Sequence, residues 1–352
     1  MTRPFTVALV GYGQAATLLH AAFAAEREVA FRWVIGRLPG PAEHFARERG
    51  IPCHGADLEH ALHDDQVDAV IIATPHDLHY AQALRTLQAG KHAIVEVPLT
   101  MSYTEAQALV RVAAAHGRHL SAPLIARYLP MNVEARRLIE AGELGRVFQF
   151  IYRRLWLQRR IGHLLNRARS WIDTVAWHHA AHPVDLAMWL LGDRMACVGA
   201  VIGYDREHGN AVDLSANFVT SSGAAVTLTL SYNATQNFLD GVVVGEKALL
   251  EMEGFSCLKR QGEVLLAPQE ALDVQRLAYQ RYCSAALAGM RDEGPMPLTG
   301  AELLPTIEQL QRIHDLAGPP QSFFEEVPLA VLGSHATIDS RGPRRTSKES
   351  LW

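Results

Sequence analysis

Three histidines stand close together near the middle of the chain, in a segment that also holds two tryptophans and two aspartates. This histidine segment covers residues 171–185, and its histidines are His178, His179 and His182. Imidazole titrates near neutral pH and is costly to bury without a role, so the cluster favours proton transfer over simple packing. We therefore predict that the segment presents a substrate for acid–base chemistry.

A helix is predicted to run through and beyond the histidines. His178 and His182 are four residues apart, so they share one face if the helix extends back to them. The apolar run 186–191 stops at Gly192, a common helix terminator, and Pro183 fits the first turn. Two alternatives stay open, namely core or capping histidines and zinc binding. No third metal ligand is apparent in the sequence, and we predict no metal.

The N-terminal residues carry a dinucleotide-binding pattern. The apolar run 6–10 leads into Gly11-Tyr-Gly13-Gln14-Ala15-Ala16, and a helical stretch follows. Gly11 permits a tight turn, Gly13 lets the backbone approach a pyrophosphate, and a small residue at Ala16 lets the helix pack on the strand. The helix N-terminus then faces the phosphate charge. The cofactor contacts predicted from this pattern are Gly11, Gly13, Gln14 and Ala15.

The end of the second predicted strand, residues 31–35, bears on the choice of cofactor. An NAD-preferring site usually has an acid there to hold the ribose 2′-hydroxyl. This chain has Gly36-Arg37 instead, and an arginine can pair with a 2′-phosphate and stack on adenine. We predict NADP as the cofactor, with NAD as the alternative. In the competing interpretation Arg37 is a solvated loop residue.

Strands and helices alternate through residues 1–123, which predicts right-handed crossovers and a parallel sheet. Ligands of such sheets bind beyond the carboxyl ends of the strands. Those ends supply a second set of predicted cofactor contacts: Thr74, Pro75, His76, His79, Glu96 and Val97.

From about residue 124 strands follow one another without helices between them, which favours a mostly antiparallel sheet. Residues 226–231 alternate strictly between apolar and polar, which predicts a strand with one face inside. The predicted architecture is an α/β Rossmann domain (1–123), an α+β substrate domain with an open, mostly antiparallel sheet (124–318), and a C-terminal extension (319–352), flexible at its end.

An arginine-rich stretch, residues 153–169, precedes the histidine segment. Guanidinium groups bind carboxylates through two parallel hydrogen bonds, so we predict a substrate with one or two carboxylates. The alternative is a solvated basic loop. The predicted substrate-binding residues are Arg127, Arg159, Arg160, Arg169, Trp171 and His179.

Composition excludes several classes of function. The net charge of −4 and pI near 6.5 argue against binding to nucleic acid or to an anionic membrane surface. The four cysteines are far apart, which argues against a zinc site or a disulfide framework and fits a reducing cytoplasm. We see no leader segment, and no apolar run approaches the roughly 18 residues of a membrane span. We expect a cytoplasmic protein that acts on a small molecule.

Residues 5–318 resemble the Gfo/Idh/MocA oxidoreductases, the family of glucose–fructose oxidoreductase and inositol dehydrogenase. Besides the glycine pattern, the resemblance rests on Ala73-Thr74-Pro75 with His79, Glu96-Val97-Pro98, Arg127-Tyr-Leu-Pro130 and His182-Pro-Val-Asp185-Leu. It implies hydride transfer between NAD(P) and a hydroxyl-bearing carbon, with His182 as the catalytic histidine. It also implies a C-terminal sheet that often forms an oligomer interface, and hence a homodimer or homotetramer.

Two positions depart from the family pattern: Val97 stands where most members have Lys, and His178 where most have Asp. The bacterial 4-carboxy-2-hydroxymuconate-6-semialdehyde dehydrogenases are similar at these places. They also lack the Lys, and they carry Arg-Ser-Trp followed by Trp-His-His-Ala-Ala-His, here residues 169–171 and 177–182. That resemblance implies oxidation of a cyclic hemiacetal to 2-pyrone-4,6-dicarboxylate, a step of aromatic catabolism.

In the resulting hypothesis the hemiacetal hydroxyl gives its proton to His182 or His178 while hydride leaves the same carbon for nicotinamide. Asp173 fixes the tautomer of a histidine, and arginines orient the carboxylates. Two alternatives remain open. One is a family member that acts on a sugar lactol, a uronate or an inositol-type substrate. The other is a catalytically silent NADP-binding sensor, which Val97 favours.

Overall fold

The structure, a computed structural model, describes residues 3–158, 174–205 and 209–318. The chain divides into two units, Met1–Pro319 and Pro320–Trp352, and every described residue belongs to the first. Several predictions lie outside the described residues. They concern the substrate contacts Arg159, Arg160, Arg169 and Trp171, the tautomer-fixing Asp173, and the C-terminal extension.

The first half of the chain forms the predicted parallel sheet. Its strands are β1 (Phe5–Val10), β2 (Val29–Ile35), β3 (Cys53–Gly55), β4 (Ala69–Ile72), β5 (His92–Val95) and β6 (Leu120–Ser121). Its helices are α1 (Gln14–Ala24), α2 (Pro39–Arg49), α3 (Glu59–Leu62), α4 (His79–Gln88) and α5 (Tyr103–Ala115). The strand order is β3-β2-β1-β4-β5-β6, so the chain winds outward from β1 in one direction and then restarts at β4 in the other.

This reversal of strand order places four strand ends side by side. Every residue of β4 and β5 is buried, as expected for apolar strands covered on both faces. Backbone hydrogen bonds join the ends: Gly11 N–H donates to Ile35 O (2.8 Å), Ala73 N–H to Val10 O (2.7 Å) and Glu96 N–H to Ile72 O (2.8 Å). We call this margin the carboxyl edge of the parallel sheet. Ligands of doubly wound sheets bind in such a crevice.

The second half forms a larger sheet. Its strands are β7 (Val147–Leu157), β8 (Met195–Tyr204), β9 (Ala211–Thr220), β10 (Ala225–Ser231), β11 (Asn233–Gly245), β12 (Leu249–Glu253), β13 (Cys257–Arg260) and β14 (Glu263–Leu266). Its helices are α6 (Pro130–Glu140), α7 (Ala180–Leu191), α8 (Ala271–Met290) and α9 (Gly300–Ala317). Within the described residues, β7 and β10 pair in parallel and the other neighbours are antiparallel. The predicted mostly antiparallel sheet is confirmed.

The inner face of this sheet carries the helix that holds the histidines. Val226, Leu228 and Leu230 of β10 are buried, while the residues between them are partly exposed, as the alternation predicts. Helix α7 packs on β7 and β10 and on α9, while α9 packs on β8 and on α5 of the first half. The two halves therefore share one apolar core, and α7 lies where the halves meet.

Candidate active site

A glycine turn after β1 leaves the start of α1 open. Gly11 has a φ of +108°, and a Cβ there would lie 2.2 Å from Ala73 O, so the turn requires glycine. A Cβ on Gly13 would meet nothing within 4 Å, so there is open space over this part of the backbone. Helix α1 begins with Gln14 and Ala15 and has no side-chain cap, which leaves its first N–H groups for an anion. This arrangement fits a pyrophosphate.

Two side chains mark the end of β2. A Cβ on Gly36 would lie 2.1 Å from the Tyr12 ring, so the ring packs directly against this glycine. Arg37 follows and is exposed to solvent. No acid stands at this position of the carboxyl edge, where a carboxylate would repel a 2′-phosphate and hold a free 2′-hydroxyl.

His79 ties two turns of the carboxyl edge together. Its Nδ1 lies 2.7 Å from Pro98 O and its Nε2 lies 2.9 Å from Thr74 O. The ring is 1% exposed, and burial lowers the pKa of His79 below its ordinary value. A neutral imidazole has one N–H and donates to one of the two carbonyls. His79 therefore holds the Thr74–Pro75 turn against the 97–98 turn, and its predicted contact with the cofactor stays a prediction.

The side chain of Val97, a predicted cofactor contact that stays a prediction, packs in the interior. Its side chain is 5% exposed and lines a small apolar cavity with Leu124, Ala181 and Ile307. The side chain therefore faces the core between the parallel sheet and α7. A branched apolar group is stable there, and it offers no proton-transfer group to the site.

Glu96 is buried at the same edge. Its Oε2 accepts a hydrogen bond from Val97 N–H (3.1 Å), and its Oε1 has no hydrogen-bond partner among the described residues. Burial raises the pKa of Glu96 above its ordinary value, and the Val97 N–H and the His178 imidazole partly oppose this effect. The carboxyl group therefore holds its proton more tightly than an exposed glutamate does.

The histidine segment meets the carboxyl edge at His76. This residue begins the 3₁₀ turn His76–Leu78 and is buried, and its ring centroid lies 6.4 Å from that of His178. A predicted cofactor-side residue and a predicted catalytic residue are thus neighbours, although they are far apart in sequence.

The histidines begin on a π-turn. Residues Val175–His179 form this turn, and α7 continues from Ala180. Pro183 is the fourth residue of α7, and in a straight α-helix its ring would clash with the carbonyl of His179. The wider turn directly before α7 is where such a clash can be relieved, and π-turns are frequent at functional sites. Gly192 ends α7 in the left-handed conformation (φ +60°), as predicted.

Three imidazole rings form a compact group, the imidazole cluster of His178, His179 and His182. The ring centroids of His178 and His179 are 4.3 Å apart, those of His178 and His182 are 6.3 Å apart, and those of His179 and His182 are 6.5 Å apart. His178 and His182 are half-buried, whereas His179 is buried. One small ligand can therefore reach both half-buried rings.

Sequence reasoning missed the residue that holds His179. The Tyr232 hydroxyl lies 2.5 Å from His179 Nδ1, and the Trp156 ring packs edge-on against both side chains at centroid distances of 4.6 and 4.8 Å. The signal was available: the alternation of β10 continues to Tyr232 and puts it on the apolar face, where a buried hydroxyl needs a partner.

The predicted substrate contact Arg127 has a different partner. Its Nε and Nη2 donate to the Asp185 carboxylate at 2.7 and 2.5 Å, and the Thr306 hydroxyl donates to the same carboxylate at 3.2 Å. Asp185 is completely buried, so this ion pair is internal. Arg127 therefore anchors α7 about one turn beyond His182, and its predicted contact with a substrate stays a prediction.

The described part of the chain shows neither a metal cluster nor a membrane-spanning helix. There, no group of three or more His, Cys, Asp or Glu side chains is arranged to hold a metal ion. None of the described helices is both long enough and apolar enough to cross a membrane. The four cysteines are free thiols.

Comparison with known families gives two matches. Residues 5–123 match a family described as an oxidoreductase family with an NAD-binding Rossmann fold, the Gfo/Idh/MocA family. Residues 130–241 match the C-terminal domain of bacterial oxidoreductases.

Two relatives of the chain are named for substrates that contain a carboxyl group. The chain is 35% identical over 201 residues to 4-carboxy-2-hydroxymuconate-6-semialdehyde dehydrogenase of Sphingobium sp.. The aligned region covers 57% of this chain and 63% of that protein. The match therefore spans less than two thirds of this relative's length. The chain is 27% identical over 290 residues to 1-carboxy-3-chloro-3,4-dihydroxycyclohexa-1,5-diene dehydrogenase of Comamonas testosteroni, with 79% and 72% covered.

Solved structures share the fold. WlbA dehydrogenase of Bordetella pertussis, in complex with NADH and UDP-GlcNAcA, has a TM-score of 0.80 at 20% identity and covers 90% of this chain and 96% of that one. GenD2 from gentamicin A biosynthesis, in complex with NAD, has a TM-score of 0.78 at 22% identity and covers 90% and 95%.

Proposed function

Because the chain belongs to the Gfo/Idh/MocA oxidoreductase family, we propose that it is an NAD(P)-dependent dehydrogenase. Its proposed substrate is a carboxylate-bearing ring with an oxidisable hydroxyl, specifically the cyclic hemiacetal of 4-carboxy-2-hydroxymuconate-6-semialdehyde. The product is 2-pyrone-4,6-dicarboxylate. The observation that carries the proposal is the meeting of half-buried His178 with His76 at the carboxyl edge.

The imidazole cluster supplies the base. His178 and His182 are both partly exposed, so a substrate hydroxyl that reaches them can give its proton to either imidazole. A bound nicotinamide dinucleotide supplies the hydride acceptor. The substrate carbon loses a hydride and its hydroxyl loses a proton, so the C–O single bond becomes a carbonyl. Buried His179, held by Tyr232, fixes the wall of the cluster beside His178.

The absence of a lysine at position 97 supports a hemiacetal over a plain sugar hydroxyl. A hemiacetal hydroxyl is made more acidic by the ring oxygen on the same carbon, so a neutral imidazole is a sufficient base near pH 7. Val97 lies in an apolar cavity, so it cannot take part in activating a hydroxyl. The two relatives whose named substrates contain a carboxyl group support the same substrate class.

We propose NADP as the preferred cofactor. Arg37 is exposed after β2 and no acid stands beside it in the sequence, which supports the pairing of its guanidinium with a 2′-phosphate. Residues 1–123 are the proposed cofactor domain and 124–318 the proposed substrate domain. Carboxylate recognition by Arg159, Arg160 and Arg169, with Trp171 beside them and Asp173 as tautomer-fixing carboxylate, remains a proposal from the sequence.

Self-association is proposed through the outer face of the eight-stranded sheet. That face exposes apolar side chains on β8 and β9, at one end of the strand order. Val198 is 56% exposed, Val201 62% and Val219 44%. Apolar groups exposed together on one sheet face are typical of an interaction surface. We propose a homodimer or homotetramer, and light scattering of the purified protein and of Val201→Asp tests this. A monomeric wild type would refute it.

The direct test of the activity is reduction of NADP⁺ by freshly generated 4-carboxy-2-hydroxymuconate-6-semialdehyde, with NAD⁺ assayed in parallel. We expect NADPH to form together with the pyrone dicarboxylate, and faster than NADH forms from NAD⁺. Turnover of sugar lactols or uronates in its place would assign a different substrate to the same machinery. Tight cofactor binding without turnover of any of these would favour the sensor.

A further inference from the structure

One buried carboxyl oxygen at the carboxyl edge has no hydrogen-bond partner among the described residues. Glu96 is 9% exposed, and its Oε1 is completely covered yet has no partner among the described residues. Its Oε2 accepts only the backbone N–H of Val97 among the hydrogen bonds found there. A buried charged group without compensation is costly, so the ionised form of Glu96 needs a partner that this part of the chain does not supply.

The groups that face Glu96 offer little positive charge. From the π-turn, the His178 imidazole interacts with it. From α8, the phenols of Tyr279 and Tyr282 and the thiol of Cys283 interact with it, and burial raises the pKa of all three well above their ordinary values. These three groups are therefore neutral near pH 7. Within this described set, His178 alone can become a cation.

The position of Glu96 relates it to one end of the proposed cofactor. In the proposed cofactor site the turn of Gly13 would hold the pyrophosphate, and Arg37 after β2 would hold the adenosine end. Because the strand order places β2 and β4 on opposite sides of β1, a dinucleotide that crosses the edge directs its nicotinamide end toward β4 and β5. Glu96 directly follows β5. The nicotinamide ring is a cation when oxidised and neutral when reduced.

We propose that Glu96 is a proton-linked counter-charge for the oxidised nicotinamide ring. The carboxyl group holds its proton to higher pH in the free protein and in the reduced complex than it does in the oxidised complex. Binding of the oxidised cofactor expels that proton, which leaves a carboxylate beside the ring. When the ring gains the hydride of the substrate and becomes neutral, the carboxylate takes up a proton from the solvent. This inference rests on the proposed use of NAD(P).

The consequence is a difference in proton count between the two cofactor forms. When the full-length protein binds NADP⁺, it should release up to one proton more than when it binds NADPH. The difference should appear at pH values above the ordinary glutamate pKa of about 4.3. The 2′-phosphate is present in both forms, so its own protonation cancels in the difference. A purely structural Glu96 gives equal proton counts.

Isothermal titration calorimetry in two buffers of different ionisation enthalpy measures this difference. We expect this difference in the wild type at pH values above about 4.3. It should be lost in Glu96→Gln and retained in Glu308→Gln, which changes an exposed glutamate of α9. His178→Gln distinguishes Glu96 from His178 as the source of the proton. If Glu96 is the source, the difference in proton count persists in this variant. A difference that survives in Glu96→Gln, or disappears in His178→Gln, overturns the proposal.

A spectroscopic measurement on the wild type tests the same proposal independently of the variants. Infrared difference spectra of the wild type, oxidised complex minus reduced complex, should show loss of a protonated carboxyl band, and this measurement needs no variant to fold. Absence of that band change overturns the proposal. If both cofactor forms bind with equal proton counts, this inference fails while the proposed function stands. If neither form binds, the proposed function itself fails.

Discussion

Tyr232 holds His179 across the boundary between sheet and helix, with its hydroxyl 2.5 Å from His179 Nδ1. Tyr232 directly follows β10 and is 1% exposed, so the sheet fixes the position of the phenol. His179 adjoins His178, and their ring centroids are 4.3 Å apart. The orientation of the imidazole cluster is therefore set in part by a strand that contributes no group to the proton transfer.

Removing that hydroxyl should reduce turnover without removing cofactor binding. We expect Tyr232→Phe to lower kcat about tenfold and stability by about 1 kcal/mol, since a buried hydrogen bond contributes roughly that amount. The matched control is Tyr282→Phe, an identical change at another buried phenol, which bonds Ser121 (2.9 Å). Steady-state kinetics and thermal melts test this. Equal kcat losses in the two variants would show that the phenol of Tyr232 has no special role.

The half-buried histidines carry the proposed base. His182→Ala and His178→Ala should each be folded, and the variant that removes the base should lose about 10²–10⁴ in turnover, with the dissociation constant of NADP⁺ little changed. The larger loss identifies the base. His116→Ala alters an exposed histidine at the end of α5 and should leave turnover unaltered. Wild-type turnover in both cluster variants would remove the imidazoles from the mechanism.

Two glycines of one turn should respond differently to alanine. At Gly13 a Cβ meets no protein atom within 4 Å, so Gly13→Ala should fold normally and lose cofactor affinity because the methyl group occupies space meant for the pyrophosphate. At Gly11 the Cβ would lie 2.2 Å from Ala73 O with φ at +108°, so Gly11→Ala should lower the melting temperature. Melts and cofactor titrations separate the two effects. Unimpaired binding by Gly13→Ala would contradict the proposed phosphate site.

The carboxyl edge is the part of the site that sequence could predict. Parallel strands end together, so strand ends identified one by one, at Gly11, Thr74 and Glu96, had to converge. The antiparallel sheet was predictable for a similar reason, since the alternation in residues 226–231 directly reports burial on one face.

Pairings between distant side chains were not predictable in this way. Arg127 and Asp185 are separated by 58 positions. From the sequence alone, the guanidinium of an arginine in the substrate domain can pair with a carboxylate of the substrate or with one of the protein. His79 stands in a motif of the cofactor domain, yet both of its nitrogens meet backbone carbonyls. Only the three-dimensional arrangement of the turns decides such cases, because residue type alone does not select the partner.

Arg37 should control the choice between the two cofactors. Loss of a hydrogen-bonded charge pair with a 2′-phosphate costs about 1.5–3 kcal/mol, or roughly 10- to 100-fold in affinity. We expect Arg37→Asp to weaken NADP⁺ binding by that factor and to favour NAD⁺, since the new carboxylate can hold a 2′-hydroxyl. Arg111→Asp, at an exposed arginine of α5, is the control. Unchanged NADP⁺ affinity in Arg37→Asp would indicate that Arg37 is only solvated.

Acid should destabilise the protein in part through His92. This ring is 8% exposed, its Nδ1 accepts a hydrogen bond from His119 N–H (3.0 Å), and burial together with nearby positive charge lowers the pKa of His92 to about 4. The folded-state pKa is thus below the unfolded value near 6.5. The stabilisation is complete above about pH 6.5 and falls as the pH drops toward 4, because the unfolded chain takes up the proton first.

His92→Asn keeps an acceptor near the same N–H but cannot ionise in this range. Its free energy of unfolding should therefore decline less between about pH 6.5 and pH 4, by on the order of 1–3 kcal/mol at about 1.4 kcal/mol per pKa unit. Denaturant unfolding at several pH values measures this, with His116→Asn as the matched exposed control. Parallel pH profiles for wild type and His92→Asn would show that this histidine does not contribute.

The Arg127–Asp185 ion pair should matter most when it is broken on one side. Asp185 is completely buried and its carboxylate accepts from both Arg127 and Thr306. Asp185→Leu or Arg127→Leu alone leaves a buried charge without its partner and should cost about 3–5 kcal/mol, whereas the double variant leaves no buried charge and should recover much of that loss.

The same set of variants tests whether the pair also positions α7. Asp185 lies about one turn beyond His182, so a stable double variant without the anchor should still show a lower kcat, with cofactor affinity retained. Chemical denaturation gives the coupling free energy, and kinetics on the double variant gives the positional effect. Additive stability losses would mean that the two side chains do not act as a pair. Wild-type kcat in the double variant would mean that the anchor stabilises the fold without placing His182.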